Sequence, residues 1–318
     1  MRVAAILACL VGAEAAACLG DEAFPAGPEA LLRFPHEVDA PRLEPSPSGG
    51  EWDLRRIFEA ERGSDGPPQW MCLPDGLLYN SYAAGEKEPR FSTAWLHDLD
   101  GGWFWDATLG GRAGVLRYQP APGRREAWQL DIEGAAMVRL DMEQSEDLRG
   151  VDFRFGVPLT WRDGPLALKA GYYHLSSHVG DEFLLRNPGF DRINYVRESL
   201  VFGVARDLGT EWMAYAELGY AFKVSGDAKP LEFQFGAQYD ADPHGWRFAS
   251  PFAAVNFHLR EEVDFGGSVN LLTGFLWSDG RHERAWRAGL QLFHGKSAQY
   301  SFFRRTETLV GLGMWYDY

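Results

Sequence analysis

His174 and Ser176 stand two residues apart in the stretch Tyr173-His174-Leu175-Ser176-Ser177-His178. On an extended strand such residues share a face, roughly 6.5–7 Å apart, and their side chains can lean together. A serine hydroxyl is a weak nucleophile until a base takes its proton, and that base needs an orienting partner. Asn194 and Glu198 follow in Arg192-Ile193-Asn194-Tyr195-Val196-Arg197-Glu198. An antiparallel neighbour would bring them beside the histidine. The chemistry so assembled is acyl transfer, with Ser176 as nucleophile, His174 as base and Asn194 or Glu198 as orienter. Ser177 or backbone amides would supply an oxyanion hole. No metal is expected at His174 and His178, since i and i+4 on a strand lie ~13 Å apart. Asp181 and Glu182 offer calcium-type oxygens but sit in no calcium-loop motif, so no cofactor is expected. The competing reading makes these residues part of a polar barrel rim at headgroup level.

The elements that must hold these residues alternate with period two. Val151, Phe153, Phe155, Val157, Leu159 and Trp161 share one face, against Asp152, Arg154, Gly156, Thr160 and Arg162 on the other. Trp128, Leu130 and Ile132 oppose Gln129, Asp131 and Glu133 in the same way. Trp212 to Phe222 and Leu231 to Tyr239 repeat the pattern. Strands are expected at about 90–97, 103–118, 126–142, 151–162, 166–179, 192–207, 210–224, 230–241, 247–261, 265–278, 284–295 and 306–318. Many exceed the ~5–6 residues of an ordinary sandwich strand, and twelve is even, as in single-chain bacterial barrels. The fold class expected is all-β: a transmembrane antiparallel up-and-down β-barrel of about twelve strands with a short N-terminal extension. Arg162-Asp163-Gly164 and Asp207-Leu208-Gly209 suit tight periplasmic turns, and 180–191 and 296–305 suit external loops.

Composition agrees. Of 318 residues, 45 are acidic and 31 basic, a net charge of −14 that excludes a nucleic-acid partner. Beyond the N-terminus no apolar run reaches the ~18 residues of a membrane helix. Yet 14% of residues are aromatic and 36 are glycine, a mix that suits a membrane β-barrel. Residues 1–17 read as a signal peptide, with Arg2, an apolar stretch from Val3 to Ala13, and Ala15-Ala16-Ala17. Residues 18–89 read as a periplasmic linker with a short helix over 53–62, and 90–318 as the barrel. Cys18 could be lipidated or joined to Cys72; no zinc spacing exists among the three cysteines. The last strand, Val310, Leu312, Met314, Tyr316 and Tyr318, alternates to a terminal aromatic. It looks like the signature read by the outer-membrane barrel-insertion machinery.

Three stretches carry a resemblance. They run from Leu73-Pro74-Asp75-Gly76 through Tyr82-Ala83-Ala84-Gly85-Glu86-Lys87-Glu88-Pro89-Arg90, from Tyr173 to Glu182, and from Arg192 to Glu198. Together they resemble a family of bacterial proteins catalogued as a domain of unknown function and grouped with outer-membrane β-barrels. The resemblance covers about residues 70–318 and implies fold and outer-membrane location, with no activity. His174-Leu175-Ser176 also resembles the His-x-Ser arrangement of outer-membrane phospholipase A and lipid A deacylase, whose active sites face lipid. That resemblance implies Ser176 as nucleophile, His174 as base and Asn194 as amide partner, acting on ester bonds of outer-membrane lipids. Asn194 lies twenty residues after the histidine, and Ser177-His178 stand where the phospholipase has Asn-Gly.

The inward parity supplies the competing function. Arg112, Asp131, Glu133, Arg139, Asp152, Arg154, Lys169, Glu217, Lys223 and Glu232 would line a lumen. Mixed charges there suit a passive diffusion pore, or pair into a closed and purely structural barrel; twelve strands do not decide between them. Tyr173 and Tyr215 also point inward and would narrow a channel.

Overall fold

The computed structural model describes residues 67–121, 124–242, 249–278 and 284–317. The signal peptide, Cys18, the helix over 53–62 and Tyr318 lie outside the described residues. Cys72 is disulfide-bonded, and its partner also lies outside them.

Alternating segments become long strands: β1 (Gln69–Cys72), β2 (Phe91–Asp98), β3 (Trp103–Gln119), β4 (Ala127–Asp141), β5 (Asp147–Asp163), β6 (Leu166–Val179), β7 (Tyr195–Leu208), β8 (Trp212–Ser225), β9 (Leu231–Asp240), β10 (Ser250–Arg260), β11 (Gly267–Ser278), β12 (Ala285–Lys296) and β13 (Thr306–Asp317). From β2 to β13 each pairs antiparallel with its chain neighbours, and β13 returns to β2. The ring is a closed, twelve-stranded, up-and-down barrel. Closure meets the strand hydrogen bonds internally, except along β3 beyond Thr108, where β2 does not reach. The extra strand β1 pairs with the end of β3, from Gln69↔Gln119 to Cys72↔Leu116. That edge is free because β2 is short and its ladder covers β3 only from Trp103 to Thr108. One short helix, α1 (Asp181–Arg186), sits in the β6–β7 loop.

Side-chain parity follows the sequence. On β8, Met213, Tyr215 and Glu217 are buried inside, whereas Trp212, Tyr220 and Phe222 are exposed on the outer wall. Phe153, Phe155, Leu168, Leu200, Phe202, Phe235, Leu290 and Leu312 continue that apolar wall around the ring. Aromatic pairs lie toward both ends of the wall: Trp128–Trp161 at 6.1 Å, Trp212–Tyr239 at 5.0 Å and Trp286–Tyr316 at 4.7 Å between ring centroids at the end of the Gly164 and Gly209 turns, and Trp95–Trp105 at 6.3 Å and Phe233–Phe265 at 5.9 Å toward the other. No described helix is long and apolar enough to cross a membrane.

The interior is filled from both ends. Between β1 and β2 the chain runs into the barrel, burying Leu78, Tyr79, Tyr82, Ala83, Ala84, Lys87, Glu88 and Arg90. Its contacts reach inward residues of β3, β5, β8, β9 and β11: Arg112, Asp152, Glu217, Gln238 and Asn270. A segment that touches strands on all sides of a ring lies within it. From the loop end, the β12–β13 connection folds inward and buries Tyr300, Ser301, Phe302 and Phe303. The stretch Leu78–Pro89, part of the expected extension, is thus packed in the lumen.

Candidate functional site

The lumen is a network of paired charges. Arg154 meets Glu133 at 2.8 Å, and Arg139 sits between Asp106 and Glu307, each at 2.7 Å. Lys169 pairs with Glu217, and Arg112 lies 3.9 Å from Asp131. Glu232 receives Tyr173 and Tyr300, 3.3 Å from the latter, and has Arg197 at 3.8 Å. Nine of the ten expected lumen residues are therefore buried in this interior: Arg112, Asp131, Glu133, Arg139, Asp152, Arg154, Lys169, Glu217 and Glu232. Lys223 departs from the parity reading. The β7–β8 register shifts between Glu198 and Ser199, which leaves Phe222 unpaired and sets Lys223 opposite Glu198. A bulge of one residue reverses parity beyond it, and Lys223 is exposed.

The inserted segment is tied to this network. Tyr82 stacks on Tyr215 with centroids 3.8 Å apart and donates to Glu217 at 3.0 Å. The Tyr79 and Tyr82 hydroxyls meet at 2.6 Å. Both approach Gly203 so closely that a Cβ there would lie 2.7 Å from the Tyr79 hydroxyl and 3.1 Å from that of Tyr82. Arg90 donates to the carbonyls of Ala83 at 2.7 Å and Tyr82 at 2.5 Å, which holds the segment in its turn. Wall side chains donate to its other carbonyls: Arg112 to Tyr79, Arg162 to Leu78 at 2.5 Å, and Asn270 to Ala84 at 2.9 Å. A segment without regular structure can be buried this way because its backbone groups are satisfied by the wall. Asp152 joins the two fillings: its Oδ2 accepts from Lys87 and from the Tyr300 backbone amide at 3.2 Å. Burial pushes the Glu88 carboxyl upward, against the pull of Lys169, Arg112 and Arg90. Burial also opposes ionisation of Glu86, but His258 at 3.9 Å and the Ser268 hydroxyl at 2.6 Å outweigh it and hold that carboxyl below its ordinary value.

The outer wall carries the second polar group. Register places His174 opposite Phe155 on one side and Glu198 on the other, and Ser176 opposite Phe153 and Val196. His174 Nδ1 lies 3.1 Å from Glu198 Oε1, and Tyr172 donates to Glu198 Oε2 at 2.5 Å. A ring nitrogen facing a carboxylate fixes the tautomer with its proton there and leaves Nε2 as acceptor. His174, Ser176 and Glu198 are half-buried. Their neighbours on this wall are the exposed Phe153, Phe155 and Phe222. No hydrogen bond links Ser176 to His174 among the described residues. Asn194 lies beyond the ladder, which ends at Ser177↔Tyr195. It is exposed, and its carbonyl accepts from Ser225 at 2.9 Å. Ser177 faces inward, hydrogen-bonded to Ser301 at 2.7 Å. Among the described residues no group of three or more His, Cys, Asp or Glu side chains could hold a metal.

Sequence reasoning missed Tyr172 as a partner of Glu198, because its place in an apolar series hid the hydroxyl. It also missed the inserted segment. Tyr79-x-x-Tyr82-Ala-Ala-Gly-Glu-Lys-Glu-Pro-Arg90 has no period, and its only signal was the density of charged and aromatic residues in so short a stretch.

Residues 68–318 match a family model whose description reads "Protein of unknown function (DUF1207)". No curated protein matches the chain at a significant level. Among solved structures, outer membrane phospholipase A from Escherichia coli is similar over 74% of this chain and 92% of its own, with 12% identity and a TM-score of 0.48. The calcium-bound outer membrane phospholipase dimer of Salmonella typhi covers 74% and 93%, with 12% identity and a TM-score of 0.47. The likeness concerns the barrel and says nothing of activity.

Proposed function

The chain belongs to the DUF1207 family, whose description carries no activity, and on that footing we propose an outer-membrane barrel whose lipid-facing wall hydrolyses ester bonds of envelope lipids. The observation that carries this reading is the 3.1 Å His174–Glu198 pair on the outer side of an apolar wall. A charged group facing hydrocarbon is expensive, so its presence calls for a use. Glu198 orients the imidazole and stabilises the imidazolium; Nε2 takes the Ser176 proton as Oγ attacks the ester carbonyl. The proton then passes to the departing alkoxide, and water releases the acyl group from Ser176 by the reverse path. Ser176 and His174 must close to hydrogen-bond distance on binding substrate, as catalytic pairs often do. Glu198 rather than Asn194 is the orienter in this reading.

The aromatic pairs toward both ends and the uncovered apolar wall support membrane placement. The lumen supports a closed barrel over a diffusion pore, because inserted residues and ion pairs occupy it from both ends. Hydrolysis of vesicle phospholipid by the refolded barrel and by Ser176→Ala tests the enzyme reading; equal rates would remove Ser176 from it. In planar bilayers the protein is expected to give no steady conductance steps, and regular steps would restore the pore.

A further inference from the structure

The barrel's loop end holds a cleft of about 410 Å³ that the hydrolytic site does not use. Its lining includes Asp98, Asp100, Asp141, Glu143, Arg149, Arg305 and Glu307. That volume equals about fourteen waters at ~30 Å³ each, enough for a small polar molecule. Arg149 is nine-tenths buried, yet its Nε has no hydrogen-bond partner. Its nearest carboxylate, Asp141, is 3.8 Å away. Three rings hold the guanidinium instead: Phe104 at 4.7 Å, and Phe183 and Phe302 each at 5.3 Å. Arg305 lies over Phe302 at 5.8 Å, and among the described residues it makes no ion pair. Two guanidinium groups thus share the Phe302 ring, and Arg149 has no carboxylate closer than 3.8 Å. A buried, under-paired guanidinium attracts a phosphate or carboxylate.

The rim has the opposite sign. Glu307 is committed to Arg139 at 2.7 Å. Asp98 and Asp141 accept backbone amides, from Asp100 at 3.3 Å and from Glu143 at 3.2 Å. Asp100 and Glu143 are exposed and have no ion pair among the described residues. Gly102 lets Glu143 close over the β2–β3 turn, since a Cβ there would stand 2.6 Å from the carboxylate carbon. Such a rim repels a bare anion, and the paired arginines repel a bare cation.

We propose that this cleft binds a zwitterion carrying a phosphate and a primary amine. The phosphate sits on Arg149 and Arg305, and the amine among Asp98, Asp100, Asp141 and Glu143. The chemistry is shared by a free amino-alkyl phosphate and by a phosphoethanolamine headgroup.

Calorimetric titration of the refolded barrel tests this with phosphoethanolamine, inorganic phosphate, ethanolamine and a short-chain phosphatidylethanolamine below its micellar concentration. Phosphoethanolamine should bind at least ~10-fold tighter than phosphate or ethanolamine, the worth of one charge-assisted hydrogen bond. Binding of the short-chain lipid would extend the site to headgroups; its failure beside binding of the free zwitterion would assign the site to small molecules. Arg305→Gln, at an exposed position that leaves the core intact, should weaken the zwitterion by a similar factor. Asp100→Asn with Glu143→Gln should weaken phosphoethanolamine while leaving or improving phosphate binding. The proposal is overturned if no zwitterion binds the folded barrel, or if phosphate binds as tightly and the acidic variants change nothing.

Discussion

Lys87→Met is expected to be the most informative single change in the lumen. Lys87 and Asp152 form an ion pair that is 8% and 0% exposed. Asp152 Oδ1 has no hydrogen-bond partner, and Oδ2 accepts from both Lys87 and the Tyr300 amide. Lys87 further lies over the Tyr300 ring, 4.9 Å from its centroid. Removing the ammonium leaves a carboxylate stranded where water does not reach, at a cost of about 3–5 kcal/mol. The denaturant slope is ~1–3 kcal/mol per molar urea for small proteins and rises with size; at about 3, the midpoint should fall by about 1–2 M. Asp152→Asn should cost a similar amount, because it strands the ammonium. The double variant should recover most of the loss, so that it costs far less than the two single changes summed. The assay is urea unfolding of the barrel in vesicles, followed by tryptophan fluorescence. Two results would refute the reasoning: each single variant within ~1 kcal/mol of wild type, since typical surface changes fall in that range, or a double variant no better than the worse single one.

Three further outcomes are expected. Glu198→Gln removes the charge beside His174 Nδ1, so hydrolysis should drop by ~10²–10⁴-fold, the range of a disabled general base, with folding unchanged; full activity in esterase assays would detach the pair from catalysis. Gly203→Ala places a Cβ 2.7 Å from the Tyr79 hydroxyl and should destabilise the barrel by about 1–3 kcal/mol through overpacking, read as a lower unfolding midpoint. Glu86, held below its ordinary value of 4.5 by His258 and Ser268 against the opposing effect of burial, contributes stability above pH 4.5 that is lost as the pH falls through the lowered value. The stability gap between wild type and Glu86→Gln should therefore narrow below pH 4.5, and a gap independent of pH would exclude that role.

Much of the barrel is legible in the sequence because a strand writes its two faces in alternate residues. Trp212 to Phe222 and Leu231 to Tyr239 declare outside and inside directly, and burial follows them. Parity placed His174, Asn194 and Glu198 on one outer face, but only the register across the long β6–β7 loop chose Glu198 as the partner. The same rule failed at Lys223, where one unpaired residue reverses the faces, and such a bulge leaves no mark in composition. It also overlooked Tyr172, whose ring suits an apolar wall while its hydroxyl serves Glu198.

By itself, then, the sequence determined most of the strands and which of their residues share a face, since period-two alternation is a local property that each segment carries alone. The interior was decided only by the tertiary structure. Whether Arg139, Glu133 or Glu217 faces a water path or a partner depends on what lies across the lumen, from strands up to 168 residues away in the chain. The segment around Tyr79, Tyr82 and Lys87 has no period to announce it, because its backbone is held by wall side chains rather than by its own ladder. Such partners exist only once the barrel has closed around it.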